Sequence, residues 1–217
     1  ANKLRDIKHV IHTALFGSFT IGMMISIVFF FFSKSLLTFM NLNEELRQFG
    51  NSYLQIFGGS LIISALSAVI IAILRTHGHT KPALLIPMTA SILSVIGNYF
   101  VLYQPFGLPS FGVSGLAYSS VFGNMIGLII SVVLLRRYIG FSIFSFRFRK
   151  ISFPILKAIL TYGLPSSGET LSYQGAQVGV TMIVASLGAS VLIAKSYISA
   201  ITQFVYLIAS ALSQGNQ

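Results

Sequence analysis

Six long, mostly apolar stretches constrain this chain more than any other feature. A helix needs about 20 such residues to cross the hydrocarbon core of a bilayer. Four of the stretches contain no Asp, Glu, Lys or Arg, while the fifth contains Glu169 and the sixth contains Lys195. The stretches cover residues 12–32, 53–74, 82–103, 112–135, 163–187 and 191–212. They predict spanning helices rather than spanning strands, which alternate apolar and polar residues over about ten positions.

The composition supports a membrane environment. Of the 217 residues, 54% are hydrophobic and only 8% are charged, whereas a soluble domain carries about 25% charged residues. A chain this poor in charge cannot cover a globular surface with polar groups. The predicted fold class is therefore all-α, a polytopic transmembrane bundle of about six spans.

The basic residues predict the orientation. Eleven of the 14 Lys and Arg residues lie in the loops 1–11, 75–81 and 136–162, which fall on one side of the membrane. Loops rich in Lys and Arg stay in the cytoplasm, so both ends of the chain are predicted to be cytoplasmic. The net charge of +10 is then explained by topology and anionic lipid, and no nucleic-acid partner is expected.

Glu169 is the residue most indicative of function. A carboxylate inside a span costs roughly 2.5–3.5 kcal/mol on insertion scales, so it usually faces a cavity or a partner. Ser166, Thr170, Tyr173 and Gln177 follow a helical spacing around it. Together with the adjacent Gln174, this polar face predicts a cation-coupling or substrate-binding path. The alternative is a glutamate in the first turn of a helix that begins near Pro165.

Other polar residues in the spans carry weaker signals. Ser94, Asn98 and Ser120 are candidates for binding, although isolated Ser and Asn residues in membrane helices usually bond a neighbouring backbone. Lys195 is expected to extend towards the outer headgroups. No catalytic motif, phosphate loop or metal-binding pattern is visible, so we expect no enzyme activity, no metal and no cofactor.

Small residues recur at a spacing of four. Gly123 and Gly127 share one face of the fourth span, and Gly175 and Gly179 share one face of the fifth. This spacing lets two helix backbones approach closely. It predicts packing within one bundle, with a dimer interface as the alternative.

An ordered set of short motifs resembles the multidrug and toxic compound extrusion (MATE) family. The motifs are YLQI at 53–56, ILRTHGHTKP at 73–82, GNY at 97–99, FG at 106–107, GVSGLA at 112–117, GLPS at 163–166, VASLG at 184–188 and ALSQG at 211–215. The resemblance implies a transporter of twelve helices in two lobes, of which this chain resembles helices three to eight. Residues 1–135 then belong to the N-terminal lobe, 136–162 connect the lobes, and 163–217 begin the C-terminal lobe.

The resemblance also implies an activity. Family members expel organic cations in exchange for H⁺ or Na⁺, and many carry an acidic residue at a position that Glu169 matches. Some hold a cation in the N-terminal lobe with an Asn and an Asp that look like Ser94 and Asn98 here, and with a Thr that looks like Ser120. This chain therefore lacks the acidic residue of that site, which makes Glu169 the stronger candidate for binding the coupling cation.

The leading hypothesis is a secondary active multidrug exporter in the plasma membrane. Its partners would be small organic cations, the lipid bilayer and the rest of the same transporter chain, and its coupling ion would be H⁺ or Na⁺. A flippase for lipid-linked oligosaccharides is one alternative, but it needs Arg and Lys in its cavity, and the spans contain only Lys195. A membrane scaffold that does not transport is the other.

Overall fold

The fold is all-α. The computed structural model describes residues 2–39, 44–105, 112–140 and 153–215, and within these ranges it contains seven helices and no strand. The helices are α1 Asn2–Phe39, α2 Glu44–Gly59, α3 Leu61–Thr76, α4 Thr80–Tyr103, α5 Gly112–Ile139, α6 Phe153–Ser186 and α7 Ala189–Gly215. The predicted fold class is confirmed.

Four of the described helices, α1, α4, α5 and α7, are long and apolar enough to cross a membrane. A fifth span is obtained if α2 and α3, which meet at a bend of 43° around Ser60, are taken together. The remaining predicted span lies in α6, which has 34 residues and is therefore about 51 Å long. Helix α6 is not among the helices whose own sequence is apolar enough to cross a membrane, because it contains many hydroxyl and amide side chains.

The helix boundaries differ from the prediction around the connector 136–162. Helix α5 continues to Ile139 and α6 begins at Phe153, so both ends of the predicted connector are helical. Residues 141–152 lie outside the described ranges. Pro165 was expected near the start of a span but lies inside α6. Proline is tolerated inside membrane helices because neighbouring groups satisfy the backbone that it leaves unpaired.

Helix α1 packs along the bent pair α2–α3 through small and hydroxyl side chains. The backbone N–H of Ile62, just after the bend, donates to Ser26 Oγ at 3.0 Å. One turn further along α3, the carbonyl of Ala65 accepts a hydrogen bond from Ser18 Oγ of α1 at 2.9 Å. Between them, a Cβ added to Gly22 would lie 3.1 Å from the Ile62 backbone. The first N–H groups of a helix lack partners in their own helix, so α1 supplies one for α3.

We expect Ser26→Ala to destabilise the complete protein by about 1 kcal/mol, because it leaves the Ile62 N–H at the bend without its partner. Thermal unfolding in detergent measures the effect. Thr20→Ala on the same helix is the matched control, since the exposed Thr20 hydroxyl bonds only the Phe16 carbonyl of its own helix. An equal loss in both variants would contradict the role assigned to Ser26.

Most of the large buried side chains lie at one end of the bundle. They come from α1, α3, α4 and α5 and form one cluster: Ile11, Leu15, Ile70, Ile73, Leu74, Ala83, Ile86 and Leu135. The turn between α3 and α4 closes this end, with Gly78 at a φ of +79°, a conformation that glycine adopts without strain. The ring of His79 lies 4.6 Å from that of Tyr138 near the end of α5. The exposed cations Arg75, Lys81, Arg136 and Arg137 surround this turn, and we call this the basic end.

Helices α4 and α5 make the closest contact in the bundle. A Cβ on Gly123 would lie 2.4 Å from Ser94 Oγ and 2.6 Å from the carbonyl oxygen of Ala90. A Cβ on Gly127 would lie 3.1 Å from Ala90 Cβ. Packing within one bundle is therefore confirmed for this glycine pair. On α6, by contrast, a Cβ added to Gly175 or Gly179 would meet no atom of another segment within 4 Å among the described residues.

Candidate functional site

Glu169 lies at the middle of α6. The helix begins at Phe153 and ends at Ser186, so the carboxylate is about 24 Å from the first residue along the axis. The interpretation of Glu169 as a glutamate in the first turn of a helix is wrong, because the helix starts well before Pro165. A carboxylate this far from either helix end is not stabilised by the helix dipole, which acts within the first and last turns.

The polar residues around Glu169 form a continuous face. Gln177 Nε2 donates to Tyr173 Oη, one turn earlier, at 3.4 Å. Thr170 Oγ1 donates to the Ser166 carbonyl at 3.3 Å, so that hydroxyl bonds its own helix. Glu169, Tyr173, Gln174 and Gln177 are all exposed. Among the side chains that the structure describes, no cation lies within ion-pair distance of Glu169.

Lys195 differs from its predicted position. Instead of extending towards the headgroups, its Nζ donates to Thr181 Oγ1 on α6, and the side chain is half-buried. Thr181 is twelve residues after Glu169, about 18 Å along the helix, so Lys195 does not neutralise the carboxylate. Thr181 was missed as a functional candidate, although it continues the Glu169, Tyr173 and Gln177 face by one more turn.

The second group of predicted residues lies between α4 and α5. Ser119 Oγ donates to the Ser94 carbonyl at 3.0 Å and so links the two helices. Ser120 Oγ donates to Leu116 of its own helix at 3.0 Å. The Oδ1 atom of Asn98 is buried and has no hydrogen-bond partner in the described structure. Ser119 is therefore the serine that bridges the helices, through the bond to a neighbouring backbone that is expected of isolated serines in membrane helices.

The two groups belong to different parts of the structure. Helix α6 packs on α1 and α7, whereas α4 packs chiefly on α5. The α6 face offers a carboxylate, a phenol and two amides on one surface, which suits a proton, a monovalent cation or a cationic organic group. No cluster of three or more metal-binding side chains occurs among the described residues.

The fold and the α6 face together define a multi-pass α-helical membrane protein with a polar surface on a long central helix. Comparisons with known proteins narrow this class. The MatE family model matches residues 1–100. An uncharacterized transporter of Bacillus subtilis, YisQ, is 34% identical over 98% of this chain and 47% of its own length. A probable multidrug resistance protein of Bacillus cereus, NorM, is 25% identical over 76% of this chain and 37% of its own.

A solved structure shows the same fold. It is an inward-facing multidrug resistance MATE family transporter of the MOP superfamily, with a TM-score of 0.73 and 24% identity. The match covers 88% of this chain and 43% of that one. This chain belongs to the MATE family, and it spans less than half the length of the relatives that it matches.

Proposed function

We propose that the complete protein is a secondary active exporter that expels organic cations in exchange for H⁺ or Na⁺. The observation that carries this proposal is the carboxylate of Glu169 at the middle of α6, within the predicted span 163–187. A group of this kind is costly to keep in a membrane unless a ligand or a water-filled cavity accompanies it. The family membership and the similarity to known and probable transporters support transport as the activity.

The composition of the polar face supports an organic cation as the substrate. A carboxylate attracts positive charge, and the ring of Tyr173 offers a π-face to a quaternary or protonated amine. Tyr173 lies one turn after Glu169 on α6, a spacing that puts the two side chains on the same side of the helix. In this proposal Gln174 and Gln177 orient the ligand, and Glu169 binds either the ligand or the coupling ion.

The α4–α5 group has a smaller part in the proposal. The buried Oδ1 atom of Asn98 has no hydrogen-bond partner in the described structure. Ser94 lies one turn earlier on the same helix, α4, and Ser120 lies on the neighbouring helix, α5. Amide and hydroxyl oxygens alone bind a cation more weakly than a set that includes a carboxylate. We therefore assign coupling to Glu169 and give these residues a supporting role.

The orientation in the plasma membrane is also proposed. The basic end carries four exposed cations, and the described acidic side chain of Glu44 lies at the start of α2, beyond the opposite end of α1. The positive-inside rule places the basic end in the cytoplasm. Both ends of this chain are then cytoplasmic.

Dye efflux from cells that express the complete protein tests the proposed function. We expect ethidium loss to accelerate when an inward H⁺ or Na⁺ gradient is imposed and to stop when the gradient is collapsed, because one charge crossing about 100 mV gains about 2.3 kcal/mol. Efflux that persists without either gradient would contradict secondary transport. No efflux of any cationic dye would favour the flippase or the scaffold.

A further inference from the structure

An apolar groove lies where the first turns of α6 rest on α1 and α3. It encloses about 540 Å³ and is lined by Ala14, Gly17 and Ile21 of α1, Ala65 of α3, and Leu156 and Leu160 of α6. Gly17 sets the width, since a Cβ there would lie 3.2 Å from Leu156 Cδ1. The groove is distinct from the polar face, because Glu169 is about 14 Å further along α6 than Leu160.

The polar side chains at the groove offer little to a polar ligand. Thr13 Oγ1 donates to the His9 carbonyl at 2.9 Å, and Ser18 Oγ donates to the Ala65 carbonyl at 2.9 Å. Both hydroxyl protons are therefore used within the protein. Apart from Ser64, the other lining residues have no polar side-chain atom, which selects a mainly apolar occupant.

The length and depth of the groove fit an acyl chain. Along α1 it runs from Thr13 to Ile25, twelve residues or about 18 Å. One leaflet contributes half of a hydrocarbon core that is about 30 Å thick, or about 15 Å. The groove starts at the basic end, since Ile11 and Leu15 pack with Leu74 directly before Arg75. An acyl chain entering from that leaflet spans the groove.

A cation stands beside the groove. Lys157 is exposed and lines a neighbouring hollow together with Phe153 and Leu164. Leu156 and Leu160 line both concavities, so the side chain of Lys157 lies next to the apolar groove. Positive charge beside a hydrocarbon slot favours a negatively charged headgroup. It disfavours the organic cations proposed for the Glu169 face.

We infer that the groove binds one anionic phospholipid, with an acyl chain between α1, α3 and α6 and the phosphate at Lys157. The lipid then packs against α1, α3 and α6 at once. This site is independent of the proposed transport activity.

Native mass spectrometry of the complete protein tests the inference, with phosphatidylglycerol and phosphatidylcholine of identical acyl chains as probes. We expect phosphatidylglycerol to bind about fivefold more tightly, the effect of one lysine near an anionic headgroup. Lys157→Gln should remove that preference and Lys157→Arg should keep it. Lys81→Gln, which removes an exposed cation at the same end but away from the groove, should leave it unchanged.

A second variant tests the groove itself. Ala14→Phe places a ring in the slot, and we expect it to weaken the binding of both lipids while Lys157→Gln affects only phosphatidylglycerol. Equal affinity of the unmodified protein for the two lipids would overturn the inference. So would an equal loss in Lys157→Gln and Lys81→Gln, which indicates diffuse attraction, or displacement of phosphatidylglycerol by ethidium, which indicates a substrate site.

Discussion

Glu169→Gln is expected to abolish gradient-driven efflux in cells that express the complete protein. The substitution keeps the size and hydrogen-bonding reach of the side chain but removes its charge and its exchangeable proton. If Glu169 binds the coupling ion, the gradient no longer drives transport, and we expect ethidium efflux to fall at least about tenfold, a loss of roughly 1.4 kcal/mol or more. Dye fluorescence measured with and without an imposed gradient gives the result.

Glu44→Gln is the matched control for this substitution. Glu44 is an exposed carboxylate at the start of α2 that pairs with Arg47 three residues later, and surface pairs of this kind contribute little. We expect this variant to transport normally. Full gradient-driven efflux in Glu169→Gln would show that the carboxylate has no coupling role, whereas equal losses in both variants would point to a general effect of removing acidic residues.

Gly123→Ala is expected to have the largest effect on stability. A methyl group at this position would meet the Ala90 carbonyl oxygen at 2.6 Å and Ser94 Oγ at 2.4 Å. The Ser94 side chain can rotate, but the Ala90 carbonyl is backbone, so α4 and α5 must separate. Overpacking of this kind costs about 1–3 kcal/mol, which thermal unfolding of the complete protein in detergent measures.

Gly59→Ala provides the comparison for Gly123→Ala. Gly59 is also helical, but a Cβ there would lie 3.5 Å from Phe30 Cδ2, an ordinary van der Waals separation. Gly59 is the last residue of α2 and is not in the left-handed region, so alanine can adopt its backbone conformation and this variant should be close to neutral. A Gly123→Ala protein as stable as Gly59→Ala would refute the close contact between α4 and α5.

The apolar stretches were sufficient to predict the helices but not their breaks. Hydropathy gives the length of an apolar segment and is insensitive to a change in backbone direction, so the bend at Ser60 was not anticipated. The start of α6 was missed for a related reason. Residues 153–162 mix apolar residues with Lys157 and Thr161, a pattern expected of an interfacial segment, and Pro165 suggested a helix start that tertiary structure overrides.

Periodicity predicted contacts within one helix better than contacts between two. The Tyr173–Gln177 bond joins positions four apart, a spacing that brings side chains together in any helix. The Ser119–Ser94 link depends on the register between α4 and α5, which no single segment specifies. Lys195 and Thr181 had a usable signal, since they lie six to seven residues on either side of the turn at 187–188, and antiparallel helices joined by a short turn place such positions side by side.

The distribution of side-chain size along the bundle has a mechanical consequence. At the basic end, large residues such as Ile70, Leu74 and Leu135 interlock. Further from that end, α1 meets α3 through the small residues Gly22 and Ser26. Interlocked large side chains resist the sliding of one helix along another, whereas contacts between small side chains allow it. We therefore expect the basic end of the α1–α5 bundle to stay fixed, and any sliding of α1 along α3 to occur at Gly22 and Ser26.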